Sequence, residues 1–251
     1  MSAVDAPGVG EEITDKNAKA GMPPVPAATS RDRGAGPYRR LVLRGATVID
    51  GTGAPPWGPA DIVIEGDRIT AITPVGTPHR PINASRRPSP GDHEIDCHGK
   101  FVTPGLIDCH THIGVPYHAL HGDVAPADYV YKLWLAHGVT TVREMGCFSG
   151  LDWVVEQREA SAANRIAAPR ILAHPYFPAV VDKLKIIHTP EEARQWLTKA
   201  RDKGADGVKF FGAPPALMRA ALEACRELGL RTGCHHAQQA AFDLDVALHD
   251  D

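Results

Sequence analysis

Nowhere in the 251 residues does an apolar run reach the about eighteen positions that a membrane-crossing helix needs. A membrane is therefore not expected as a partner. Long basic runs are missing too: 27 Lys and Arg face 30 Asp and Glu, for a net charge of -3. No electrostatic footprint for nucleic acid or an anionic membrane surface results. Cysteine is scarce, with Cys97, Cys109, Cys147, Cys225 and Cys234 odd in number and never spaced as CxxC. That pattern excludes a disulfide framework and points to reduced thiols in the cytoplasm. No GxGxxG or GxxxxGK[ST] follows any apolar run, so nucleotide binding has no support. Residues 1–38 are rich in Gly, Ala, Pro and charge and lack an apolar block of signal-peptide type, and are expected to form a disordered tail.

What the chain does contain is 43% apolar residues, enough for a sizeable core. Residues 39–100 read as a small, mostly antiparallel β module of β-sandwich type. RRLVLRGATVIDGTG suggests a strand pair, and ADIVIEGDRITAI a hairpin about Gly66-Asp67. EIDCHGKFVTPG repeats the hairpin pattern about His98-Gly99-Lys100. No helix is expected there.

From residue 101 to 251 the rhythm becomes strand, helix, strand, as in parallel βαβ units. FVTPGLID, GVTTVREMG, APRILAHP, GADGVKFFG and LRTGCHHAQQ are the expected strands. Between them fall PADYVYKLWLAHG, stopped by Gly138; LDWVVEQREASAANR; a helix capped by Thr189 with Pro190 at its first position; and PALMRAALEACREL, ended by Gly229. Five such units fit either a parallel barrel or an open doubly wound sheet, and periodicity alone does not separate them. In both, the carboxyl ends of the strands carry the site.

Polar residues gather at those ends: His110, His112, Glu144, Lys209, His235 and His236. With 13 histidines in the chain, chance alone gives about 0.7 H-x-H pairs, so the bare motif is weak. In a strand, however, His110 and His112 point to one face, the spacing for sharing a divalent ion. The plainer alternative is a hydrogen-bonded pair in the core. Lys209 sits among Val208, Phe210 and Phe211, where an ammonium is costly to bury. Desolvation there favours a neutral amine, able to act as a nucleophile or to take up carbon dioxide as a carbamate; the alternative is a lysine that snorkels to water. His235 and His236 are adjacent, so only one faces inward.

In combination, LVLRGATVIDGTG, DIVIEGDRITAI, GKFVTPGLIDCHTH, GVTTVREMG, APRILAH and GADGVKFF resemble the metal-dependent amidohydrolase superfamily, with its imidazolonepropionase-like, dihydroorotase-like and Xaa-Pro-dipeptidase-like members. The resemblance covers roughly residues 39 to 240. It implies an α/β architecture: a partial (β/α)8 TIM-like barrel, about five of eight strands, beside a partial composite β-sandwich. It also implies that His110 and His112 bind the more buried metal, that carboxylated Lys209 bridges two divalent ions, normally zinc with Mn, Fe or Co as alternatives, and that His236, directly before Ala237, is a further ligand. The implied reaction is hydrolysis of a carbon–nitrogen bond in a small-molecule amide, cyclic amide or dipeptide-like substrate by a metal-bound hydroxide. Glu144 is given a supporting role only.

The same resemblance calls for a later histidine and a catalytic aspartate that are not found, and Asp243, Asp245, Asp250 and Asp251 are not promoted to that part. A barrel takes about 250 residues, whereas 151 follow from Phe101 onward. The expectation is an N-terminal piece of an amidohydrolase, inactive by itself and prone to form homo-oligomers through open strand edges. A non-catalytic scaffold derived from the fold is the competing reading. A lysine imine enzyme ranks lower because it leaves the histidines unused. His118 and His121 are read as a solvated loop rather than a pocket.

Overall fold

The computed structural model describes residues 27–31, 35–114, 125–178 and 187–235. His118, His121, His236 and the acidic residues from Asp243 onward therefore lie outside the described residues. The chain divides into two units. One runs from Asp32 to Gly105, and the other contains Leu106 onward together with the described residues 27–31. Those five residues fall within the segment read as a tail, yet the Ala28 N–H donates to Gln157 Oε1 at 3.3 Å and the Arg31 N–H to the Arg165 carbonyl at 2.7 Å.

In the Asp32–Gly105 unit, β1 (Arg40–Val48), β2 (Trp57–Glu65) and β3 (Arg68–Pro74) form the expected antiparallel meander around the Gly66-Asp67 turn. Three expectations change. RRLVLRGATV is one strand rather than two, carried through a register irregularity between Leu43 and Ala46 where Gly45 takes φ +73°. β4 (His93–Asp96) and β5 (Phe101–Val102) do not form a hairpin; both run parallel to β1, one after the other along the same edge. The reason lies in the long Pro/Arg-rich connection after β3, which carries the chain back to the start of β1 before pairing resumes. There the Asp92 N–H donates to the Arg40 carbonyl and Asp92 Oδ2 accepts from the Arg40 N–H. Finally, the described strands make a single sheet in the order β3-β2-β1-β4, with β5 also on β1, and no second layer is seen among the described residues. Helix is limited to one 3-10 turn at Ala84–Arg86.

A buried ion pair holds the irregularity in place. Asp61 is fully buried; its Oδ2 accepts from Arg44 Nη1 at 2.8 Å and its Oδ1 from the Gly45 N–H at 2.8 Å. A bulge in an antiparallel ladder frees a backbone donor, and here a carboxylate on the neighbouring strand receives it. Ala46, Val48, Ala60 and Ile62 with Cys97 form the small core around this pair.

The second unit alternates strand and helix: β6 (Leu106–Thr111), α1 (Ala127–Ala136), β7 (Val139–Gly146), α2 (Leu151–Ala162), β8 (Arg170–Pro175), α3 (Pro190–Asp202), β9 (Gly207–Phe210), α4 (Pro215–Leu228) and β10 (Arg231–Cys234). The expected strand FVTPGLID is broken at Pro104: Phe101 and Val102 pair with β1, and Leu106 begins β6 in the other unit. All pairings here are parallel, β6-β7-β8 and β9-β10. A Tyr176–Lys209 bridge and the Phe177 N–H to Lys209 carbonyl bond of 2.9 Å join β8 to β9. Neighbours thus follow chain order, without the reversal that a doubly wound sheet has at its switch point, among the described strands.

Local chemistry accounts for the helices. Thr189 Oγ1 accepts the Glu192 N–H at 3.2 Å, while the Glu192 carboxylate reaches back to the His188 N–H at 2.9 Å, one residue earlier than in the usual capping box. α4 ends where Gly229 adopts φ +70°. The helices bury Leu151, Val154, Leu197, Met218, Ala221 and Cys225 against Val142, Ile171, Ala173, Val208 and Phe210 of the strands. Leu222 and Leu228 of α4 are only partly buried.

Replacing Asp61 with Ala is expected to cost about 1–3 kcal/mol, because the buried Gly45 N–H loses its acceptor while Arg44 keeps Glu94 and the Pro88 carbonyl. Hydrogen exchange read by mass spectrometry should accelerate in β1 and β2 and stay unchanged in β7 and β8.

Candidate functional site at the strand ends

His110 and His112 occupy the end of β6 and the position just after it. Their rings meet edge to face, with centroids 5.2 Å apart, as expected for two side chains on one strand face. The pKa of His110 is lowered, first by desolvation and then by the positive charges of Lys209, His112, His235 and Arg143. Those groups lie on, or directly follow, β6, β7, β9 and β10. A neutral imidazole is the form in which histidine binds a metal.

His112 is held from two sides. Its ring lies 5.2 Å from that of Phe148, and its Nδ1 lies 3.6 Å from Glu144 Oε1. Gly146 makes room for Phe148, since a Cβ there would meet the ring at 2.5 Å. Glu144 is fully buried near the end of β7. Its Oε1 accepts the Cys147 N–H at 2.9 Å, and its Oε2 accepts the Ile113 N–H. Ser149 Oγ closes the stitching by donating to the Ile113 carbonyl at 3.2 Å.

Lys209 is 1% exposed, with Val208 and Phe210 turned the other way into the core. The strand's alternation thus sets Lys209 opposite Val208 and Phe210, and the lysine does not snorkel to water. Its Nζ lies 5.5 Å from the centre of the Phe211 ring, and desolvation lowers its pKa, with Arg143 acting in the same direction and Cys234 against it. Phe211 in turn stacks on His235 at 4.5 Å and meets Tyr176 edge on at 4.6 Å. His235 thus lies against Phe211, with its N–H donating to the Phe210 carbonyl at 2.8 Å.

Two residues on these strands were not singled out from the sequence. Arg143 donates through Nε to the Cys109 carbonyl at 2.8 Å, tying β7 to β6. His174 is 2% exposed on β8, and its ring lies against the bare Cα of Gly207, where a Cβ would sit 2.4 Å from it. Its place at the end of APRILAHP was the available signal. Burial lowers its pKa to about 4, with Arg143 acting in the same direction and the Leu172 carbonyl and Asp206 against it. Both residues line a cavity of about 610 Å³ with Leu172, Asp206, Arg231 and Thr232. Asp206 and Arg231 stand at the strand beginnings, the opposite end from His112.

Among the described residues, no group of three or more His, Cys, Asp or Glu is placed to hold a metal. A lysine is outside that set, and His236 is outside the described residues. The donors that are present, two neighbouring imidazoles and a buried amine of lowered pKa, fit in kind a divalent ion with nitrogen ligands.

No family model matches the chain. It is 29% identical over 198 residues to an imidazolonepropionase of Mesorhizobium japonicum, covering 59% of this chain and 47% of that protein. Among solved structures it is similar to a Xaa-Pro dipeptidase with methionine in its active site, at 21% identity and a TM-score of 0.62 over 84% of this chain and 59% of that one. It is also similar to molinate hydrolase, at 18% identity and a TM-score of 0.63 over 84% and 56%. The chain spans about half the length of the curated relatives it matches over their longest alignments.

A buried neutral His174 links stability to pH. The unfolded chain takes up a proton near pH 6.5 that the fold refuses until about pH 4, so the contribution is complete above the upper value and is lost as pH falls between the two. Its full size is roughly 3 kcal/mol. Urea unfolding measured from pH 7 to pH 4 should show this slope, and His174→Leu should flatten it.

Proposed function

We propose that the chain is a member of the amidohydrolase superfamily over part of its relatives' length, and that its strand ends carry part of a metal-dependent hydrolytic centre for carbon–nitrogen bonds. The chain-order succession of five parallel strands supports reading the second unit as an arc of a (β/α)8 barrel, and the first as part of a composite β-sandwich. His110 and His112 would hold one divalent ion, Lys209 as its carbamate would bridge to a second, and His236 would complete the set present in this sequence. Zinc is the first choice of metal. Such an ion supplies Lewis acidity toward a scissile carbonyl and toward water.

What this chain's own residues do is more specific. Desolvation favours the uncharged Lys209 amine, the form that adds to carbon dioxide, losing a proton as the N–C bond forms. Phe211, flanked by Tyr176 and the His235 ring, sets its face beside that amine. The substrates that suit this arrangement are small amides, cyclic amides or dipeptide-like molecules. The observation carrying the proposal is a lysine 1% exposed at a strand end, within electrostatic reach of His110, whose ring meets that of His112.

Zinc content after dialysis tests the reading. The chain should retain stoichiometric zinc; His110→Ala and Lys209→Ala should each lower retention at least tenfold, and a carbamate carbon signal from labelled bicarbonate should vanish in Lys209→Ala. No zinc retained by the parent chain would favour the scaffold reading instead.

A further inference from the structure

The placement of Glu144 carries an inference that rests on the reading above and deepens it. Nδ1 of His112 is buried and has no hydrogen-bond partner among the described residues, an expensive state for a ring nitrogen. The nearest acidic oxygen is Glu144 Oε1, at 3.6 Å. That carboxylate is itself fixed, because it is fully buried and takes backbone N–H groups from the turns after both β6 and β7. β6 and β7 pair at Thr111 and Glu144, which sets the Glu144 backbone beside the end of β6. The His112 ring is braced by Phe148, whose own ring packs over the bare Cα of Gly146.

We propose that Glu144 is the positioning residue of the site: it accepts the Nδ1 proton of His112 in a hydrogen bond and so selects the tautomer whose Nε2 lone pair stays free for a ligand beside the His110 ring. A few tenths of an ångström of ring movement turn the present 3.6 Å separation into that bond. The metal-free protein already holds this tautomer, so the ligand is aimed before any ion arrives. Carboxylate partners of this kind raise metal affinity by orienting the imidazole, typically by 10- to 100-fold.

The experiment is long-range proton–nitrogen NMR on the metal-free chain with nitrogen-15 histidine, at about pH 8 where imidazole is neutral, with His112 identified by the loss of its signals in His112→Gln. The expected result is an Nδ1-protonated His112 in the parent and a mixture of tautomers in Glu144→Gln, together with a 10- to 100-fold loss of zinc affinity in a chelator competition. An Nε2-protonated His112 in the parent overturns the inference, and that measurement stands whether or not the variant folds. An unchanged tautomer ratio in folded Glu144→Gln overturns it as well. A parent chain that holds the Nδ1 proton but binds no zinc supports the positioning while defeating the metal reading, so the two failures are distinguishable.

Discussion

The alternation of a strand's two faces is the constraint on which the site depends. On β9 the same period that sends Val208 and Phe210 into the helix-covered core leaves Lys209 on the opposite face. Burying a Val or Phe side chain is worth about 1.5–3 kcal/mol, so the register cannot slip to relieve the lysine without forfeiting those contacts. The site's least comfortable residue is thereby held in place by its most comfortable neighbours. The same holds on β7 and β8, where Val142, Ile171 and Ala173 anchor the outward face while Arg143 and His174 occupy the other.

Parallel strands add a second condition. Each unit must return the chain to the same end of the sheet, and the helices that do so, α2 to α4, also supply the apolar cover. All the chemistry at carboxyl ends is then brought together by backbone pairing alone. Glu144 shows how the turns are fixed afterwards: one carboxylate satisfies two backbone donors from two turns, and a buried donor left unmatched costs about 1–3 kcal/mol. The Asp61 carboxylate performs the same service at the Gly45 irregularity in the other unit. Both units therefore spend a buried acid on backbone that regular pairing cannot satisfy.

Much of this was legible beforehand. The Gly66-Asp67 hairpin, the Thr189 cap, the stop at Gly229 and the order of strands and helices rest on local rules of three or four residues, and they stand as read. The alternation around Lys209 was equally readable. The failures were of two kinds. β4 and β5 were read as a hairpin because their sequence resembles one, but pairing with β1 is a matter of where a long connection delivers the chain. Arg143 and His174 were passed over because each looks ordinary in its own strand and becomes notable only beside Cys109 or Gly207.

By itself, then, the sequence determined which segments are strands or helices and which side chains share a face, because those follow from periodicities of 2 and 3.6 residues within one segment. It also carried the motif order behind the family resemblance. Only the tertiary structure decided that β4 and β5 lie parallel on β1, that the strands of the second unit follow one another in chain order, and that a Glu144 oxygen stands 3.6 Å from His112. Those are distances between residues far apart in sequence, set by core packing and strand register together, and no local pattern encodes them.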